Sequence, residues 1–169
     1  MNIVIHSKVE KQLRDKLKNR QDVESQRIRR YLSMPDLSRT PGSPIYELVN
    51  RIIKLPDFSN FDVLDVPEIV SSEVSFDLFD FPANHPARSK TDTYYVDEKT
   101  VLRTHTTIMW YYYLLDEKIK QKIQKQESVG SLSYGKVYRK DEIDRQHMNI
   151  FHHMDGWYLI PKQQKIVTV

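Results

Sequence analysis

Apolar residues recur at helical spacing in three parts of the chain, and five shorter runs read as strands. Residues 7–32 contain no Gly or Pro. Val9, Leu13 and Leu17 recur every four residues there, and Val23, Ile28 and Leu32 follow less regularly. This pattern predicts a highly charged helix with a thin apolar stripe. Ser43 followed by Pro44 is an N-cap and a first-turn proline, and Ile45, Leu48, Val49, Ile52 and Ile53 then predict an amphipathic helix over 44–55. Residues 107–124 predict a third helix, with a broad face of Ile108, Trp110, Tyr111, Leu114, Leu115, Ile119 and Ile123. The strands are 61–70, interrupted by Pro67, then 93–96, 100–104, 134–139 and 151–160. Residues 34–44, with three prolines and Gly42, read as a linker, and 140–149 as a charged loop.

Helices and mostly antiparallel strands in this order imply an α+β domain. The expected division is a basic helical arm and linker over 1–42 and a single domain over 43–169. A length of 169 residues suits one domain with an appended arm. No apolar run approaches the roughly 20 residues that cross a bilayer, and the first residues lack a secretory core, so a cytoplasmic protein is expected. Without cysteine there is no disulfide, thiol nucleophile or thiolate metal site. Four glycines leave no room for a Walker loop or a GxGxxG turn.

Charge is unevenly spread. Residues 1–40 hold ten Lys/Arg against five Asp/Glu, residues 41–100 five against eleven, and residues 101–169 eleven against seven. Anionic ligands are therefore expected at the two ends. Arg27, Arg29 and Arg30 are the arm's natural contacts to RNA phosphates. The plainer reading is preferred, because charge runs usually only keep a helix in water.

The chemistry-bearing residues are His105, Arg139, Asp141, Glu142, Asp144, His147, Phe151, His153 and Asp155. In a hairpin of 134–139 and 151–160, Phe151, His153 and Asp155 share one face by the period of two, with Arg139 at the end of the neighbouring strand. A guanidinium suits phosphate, an aromatic face suits a purine, and a carboxylate suits an ammonium. Each has a plainer role: Arg139 pairing with Asp141 or Glu142, and Phe151 in the core. His147, His152 and His153 make a poor zinc set, since neighbours 152 and 153 point to opposite faces and no HExxH spacing is present.

Four blocks, in order, carry a resemblance to a known family. Residues 44–68 look like a class II motif 1, a helix and then a strand with a proline. DFPANHPARSKTDTYYV (80–96) is similar to NIPADHPARDxxDTFYL, and LRTHTT (102–107) to LLRTHTS. GKVYRKDEIDRQHMNIFHHMDG (135–156) is similar to motif 2, GRVYRxDxxDxTHxxxFHQxEG. The chain resembles the catalytic core of phenylalanyl-tRNA synthetase of the α-subunit type, a class II aminoacyl-tRNA synthetase.

That resemblance implies ATP-dependent adenylation of phenylalanine and its transfer to tRNA, with ATP and Mg2+ as substrate and no zinc. It places Arg139 on the α-phosphate as the catalytic cation, Asp141 near the adenine amino group, His147 on the phosphates and Phe151 under adenine. It places His105, Thr107, His153 and Asp155 on the amino acid. His153 and Asp155 stand where the family has glutamine and glutamate. The family's motif 3, with its GxGxxR arginine, is not found in these 169 residues, so a truncated or split enzyme is expected. Its partners would be a β-type subunit or a chain carrying motif 3, and an oligomer through the motif 1 helix. The alternative is a non-catalytic paralogue that binds nucleotide or tRNA.

Overall fold

Where the sequence reads as one helix, the basic arm folds as two, α1 (Lys8–Asn19) and α2 (Val23–Ser33), in a computed structural model that describes residues 2–162. The break is local chemistry. Arg20 leaves helical geometry, and the Asp22 side chain caps α2 by accepting from the Ser25 amide at 2.9 Å. Leu13, Leu17 and Ile28 form the buried stripe, whereas Val9 and Val23 stay exposed. The three pack with Ile69, Tyr94, Val96, Leu102 and Tyr138, so the arm lies on the domain and shares its core. The end of the expected domain, residues 163–169, lies outside the described residues.

The main sheet has the order β1-β2-β5-β6: β1 (Asn2–Val4), β2 (Phe61–Asp65), β5 (Val129–Tyr138) and β6 (Ile150–Leu159). The fold class is α+β, and this sheet is mixed. β1–β2 and β2–β5 pair parallel, and only β5–β6 form an antiparallel hairpin. The parallel pairs follow from long connections: the arm, a linker and a helix separate β1 from β2, and some sixty residues separate β2 from β5. Pro67 ends β2, and the chain resumes as β3 (Ile69–Ser71), paired with β4 (Thr100–Leu102) in a separate ribbon. Residues 93–96 contribute only a bridge from Tyr95 to Val101.

The motif 1 helix, α3 (Pro44–Ile52), is capped by Ser43 as expected and buries Val49 while Leu48 stays exposed. After the one-turn α4 (Ser72–Ser75), the third expected helix is split into α5 (Met109–Leu115) and α6 (Glu117–Gln124). Asp116 adopts an extended conformation and caps α6 through the Lys118 and Ile119 amides. Leu64, Val70, Phe76, Val101, Met109, Tyr113, Ile119 and Val129 form the core that these elements enclose.

A buried charge network joins arm to sheet. Lys136 on β5 is 3% exposed. Its ammonium donates to the carbonyls of Tyr31, Leu32 and Met34 at the end of α2, and it pairs with Glu68 at 3.2 Å. Glu68 also receives the Tyr138 hydroxyl and pairs with Arg14 of α1 at 2.6 Å. Burial pushes its carboxyl up, but Tyr138, Lys136, Arg103 and Arg14 outweigh that and hold it below the usual carboxylate range. Arg103, 1% exposed, donates to the carbonyls of Lys136 and Val66. Gly135, at φ +148, runs so close beneath Arg103 and Asp36 that a Cβ would strike the Arg103 guanidinium.

Replacing Glu68 by Ala leaves Lys136 buried without its counter-charge. Unfolding free energy should fall by about 3–5 kcal/mol, read as a lower denaturant midpoint at unchanged slope. A loss under about 1 kcal/mol would mean the network contributes no more than a surface pair.

Candidate active site

The β5–β6 hairpin has two working faces. Its register sets Val137 opposite Phe151, Gly135 opposite His153 and Ser133 opposite Asp155. Phe151, His153 and Asp155 therefore share a face, as the period of two requires. Lys136 and Tyr138 lie on the other face, among the arm's contacts. Arg139 follows β5, and its main-chain amide closes the loop on the Asn149 carbonyl at 3.0 Å. Its exposed guanidinium stacks over Phe151, with Cζ 5.0 Å from the ring centroid. Nε donates to the Thr104 carbonyl at 3.3 Å.

The second wall is the segment that follows β4. Thr106 is fully buried, and its main-chain N–H and hydroxyl meet His153 Nδ1 at 3.2 and 2.9 Å. A main-chain N–H can only donate, so Nδ1 accepts and the neutral imidazole carries its proton on Nε2. The Thr107 hydroxyl donates to Asp155 Oδ2, and the Gly156 amide to Oδ1 at 2.8 Å. His105 Nε2 lies 3.1 Å from the Ser75 carbonyl and must donate to it, which leaves Nδ1 as a lone pair, buried and without a partner. Phe79 stands edge-on to His105 and to Trp110, forming an aromatic flank.

Burial lowers the pKa of both histidines. For His105, the His153 and Arg139 charges add to that effect, against the Ser75 hydrogen bond and Asp155. For His153, Arg139 and Arg103 add to it and Asp155 opposes. Both imidazoles are thus held neutral beside one fixed cation and one carboxylate. Among the described residues, no three His, Asp or Glu side chains gather to hold a metal ion, and no helix is long and apolar enough to cross a membrane.

Six of the sequence-derived residues meet here: His105, Thr107, Arg139, Phe151, His153 and Asp155. Asp141, Glu142, Asp144 and His147 stay on the exposed hairpin loop. There Asp144 accepts from the amides of Gln146 and His147 and from His147 Nδ1, which raises the His147 pKa. In the arm, Arg27 pairs with Glu24, and Arg29 caps the end of α1 through the Leu17 and Arg20 carbonyls. Arg30 is exposed. Thr106, which fixes the His153 ring, escaped the sequence reading. Its signal was its place between His105 and Thr107.

Residues 32–163 match the family described as tRNA synthetases class II core domain (F). The phenylalanine–tRNA ligase α subunit of Malacoplasma penetrans is 37% identical over 113 residues, covering 67% of this chain and 31% of that protein. The corresponding subunit of Mycoplasmoides gallisepticum is 37% identical over 126 residues, 73% of this chain and 36% of its own length. The chain spans about a third of the length of these curated relatives. Among solved structures, a pyrrolysyl-tRNA synthetase from Desulfitobacterium hafniense has the same fold at a TM-score of 0.51 and 20% identity, over 88% of this chain and 58% of that one.

The two partly buried imidazoles give the site a pH signature. Their folded pKa values lie below the ordinary 6.5, so on acidification the unfolded chain takes up protons first. Their contribution is complete above about pH 6.5 and is lost as pH falls below it, until the native rings protonate. The exposed His147 has the opposite sign and a small weight. Thermal melts should show Tm falling from about pH 7 to pH 5, and more shallowly once His105 and His153 are replaced by Asn and Gln. Parallel slopes in wild type and double variant would contradict this assignment.

Proposed function

The chain belongs to the family of class II tRNA synthetase core domains, and on that footing we propose that its β5–β6 site activates an acid with ATP, as in a phenylalanine–tRNA ligase. The observation that carries the reading is the exposed Arg139 guanidinium over Phe151, on the strand face that also bears His153 and Asp155. Adenine takes the Phe151 ring, with the Arg139 cation near the α-phosphate. The carboxylate oxygen of the acid attacks the α-phosphorus, the bond to the bridging oxygen breaks, and pyrophosphate leaves. Arg139 stabilises the charge that spreads over the pentacoordinate phosphorus. The Thr104 hydrogen bond fixes one edge of the guanidinium and leaves the other for the nucleotide. No protein nucleophile or general base is required.

Magnesium enters on the nucleotide phosphates, which suits a cation that keeps its waters and seldom takes an all-protein cage. Asp141 and His147, on the exposed hairpin loop, reach the adenine amino group and the phosphates once ATP is in place. His105, Thr107, His153 and Asp155 hold the acid. tRNA accepts the activated acid, with Arg27, Arg29 and Arg30 as the arm cations on its path. A β-type subunit or a chain carrying motif 3 completes the site, α3 forms the oligomer contact through its exposed Leu48, and the protein works in the cytoplasm. The second reading is a nucleotide- or tRNA-binding paralogue without catalysis, and His153 and Asp155, which depart from the family pattern, favour it.

Pyrophosphate exchange tests the first reading. Arg139→Ala should cut exchange about 10²–10³-fold with Tm unchanged; ATP binding with no exchange in wild type selects the second reading. Gel filtration should give a species larger than the 20.2 kDa monomer, and Leu48→Glu should return it to monomer mass. A monomer from wild type would rule out the α3 contact.

A further inference from the structure

We infer that Tyr31 and Asn149 are positioning residues for Arg139, and that through them the basic arm holds the loop that carries this cation. The inference rests on the reading of Arg139 as the cation that acts on ATP. The chain leaves β5 at Arg139 and rejoins the sheet at Ile150. Residues 141–148 are exposed throughout, whereas Lys140 and Asn149, at the two ends of the loop, are half-buried. Among the described residues, these two ends make the loop's hydrogen bonds and ion pairs to the rest of the protein, and those of 141–148 stay within the hairpin.

Asn149 is the tighter end. Its main-chain carbonyl accepts from the Arg139 amide at 3.0 Å. Its side-chain amide donates to the Arg139 carbonyl at 3.2 Å and to the Asp141 carbonyl at 2.8 Å. Both amide protons are then used, and Oδ1 accepts from the Tyr31 hydroxyl at 3.0 Å. These partners fix which way the amide points. Turned over, it would set its oxygen against two carbonyl oxygens, and both bonds would be lost.

Tyr31 lies outside the hairpin, near the end of α2, and is itself held in place. Its ring stands edge-on to Tyr94 with centroids 5.3 Å apart, and its carbonyl accepts from the buried Lys136. Lys140 makes the second tie. Its main-chain amide donates to the Asp92 carbonyl at 2.9 Å, and its ammonium pairs with Glu24 of α2 at 2.5 Å. Glu24 and Tyr31 are seven residues apart, so they share one face of α2. That face meets both ends of the loop. The Arg139 side chain has one hydrogen bond of its own, to Thr104, so the Asn149 clamp on its main chain decides where the guanidinium starts. A cation that stabilises developing charge is effective only if it is placed beforehand. Without the Tyr31 hydroxyl, the Asn149 amide is free to turn and the clamp loosens.

Tyr31→Phe removes the hydroxyl and keeps the ring and the carbonyl. In pyrophosphate exchange, Tyr31→Phe and Asn149→Ala should each lower kcat about three- to tenfold, with KM for ATP changing less. The double variant should fall no further than Asn149→Ala, since the hydroxyl acts through that amide. An unchanged kcat in folded Tyr31→Phe, additive losses, or a change in KM alone would overturn the inference. Amide hydrogen exchange at Arg139 gives a readout that needs no activity. It should quicken about threefold or more in Tyr31→Phe, and an unchanged rate also overturns the inference. A wild type inert in pyrophosphate exchange removes the adenylation reading alone, and the Arg139 amide then decides whether the arm holds the loop. If Asn149→Ala does not fold, Tyr31→Phe decides by itself.

Discussion

An ammonium ion leaves water only if several acceptors meet it, and the burial of Lys136 imposes that demand on the whole molecule. Three of its acceptors are carbonyls at the end of α2, and the fourth is Glu68 between β2 and β3. The last turn of α2 is where helical carbonyls have no partner of their own. The helix end and the lysine thus solve each other's problem. Arg14 on α1 and Tyr138 on β5 complete the shell around Glu68. Arm, linker, both sheets and the hairpin are joined by one connected set of charges.

That constraint also explains why the candidate site is rigid. The hairpin cannot twist on its axis without moving Lys136 and Tyr138, so Phe151, His153 and Asp155 on the opposite face are held in fixed relation. Catalysis by a preorganised cation gains from such an arrangement, because the reaction then costs little reorganisation. Thr106 does the same for the facing wall: it is buried, and its main-chain N–H and hydroxyl both meet one imidazole.

The hairpin and its face were legible in the sequence because strand periodicity is a local rule and Phe151, His153 and Asp155 obey it. The α3 cap was legible for the same reason, in the pair Ser43–Pro44. The breaks at Arg20–Asp22 and at Asp116 were harder. Each depends on an aspartate leaving a helical run to cap the next one, and composition alone shows only a helix-friendly stretch. The mixed sheet was not legible at all. β1 is three residues long, and its parallel pairing with β2 is decided by segments sixty positions away. Lys136 was hidden too, because a lysine in a strand normally signals a solvated face. The resemblance placed the site residues in order, but only coordinates give the tautomer of His153 or separate the exposed loop residues Asp141 and His147 from the rest.

The strand order β1-β2-β5-β6 carries a consequence for how the chain is made. β2 cannot gain its inner neighbour until residues 130–133, which pair with it, have been synthesised, and Lys136 follows three residues later. Until then β1, β2 and the two arm helices have only each other, and Glu68 waits without a counter-ion from the sheet. Such long-range parallel pairing closes slowly, since the connecting loops lose their entropy before any ladder forms. Pairing of β2 with β5 therefore follows that of β1 with β2, and it joins the arm to the hairpin in one step.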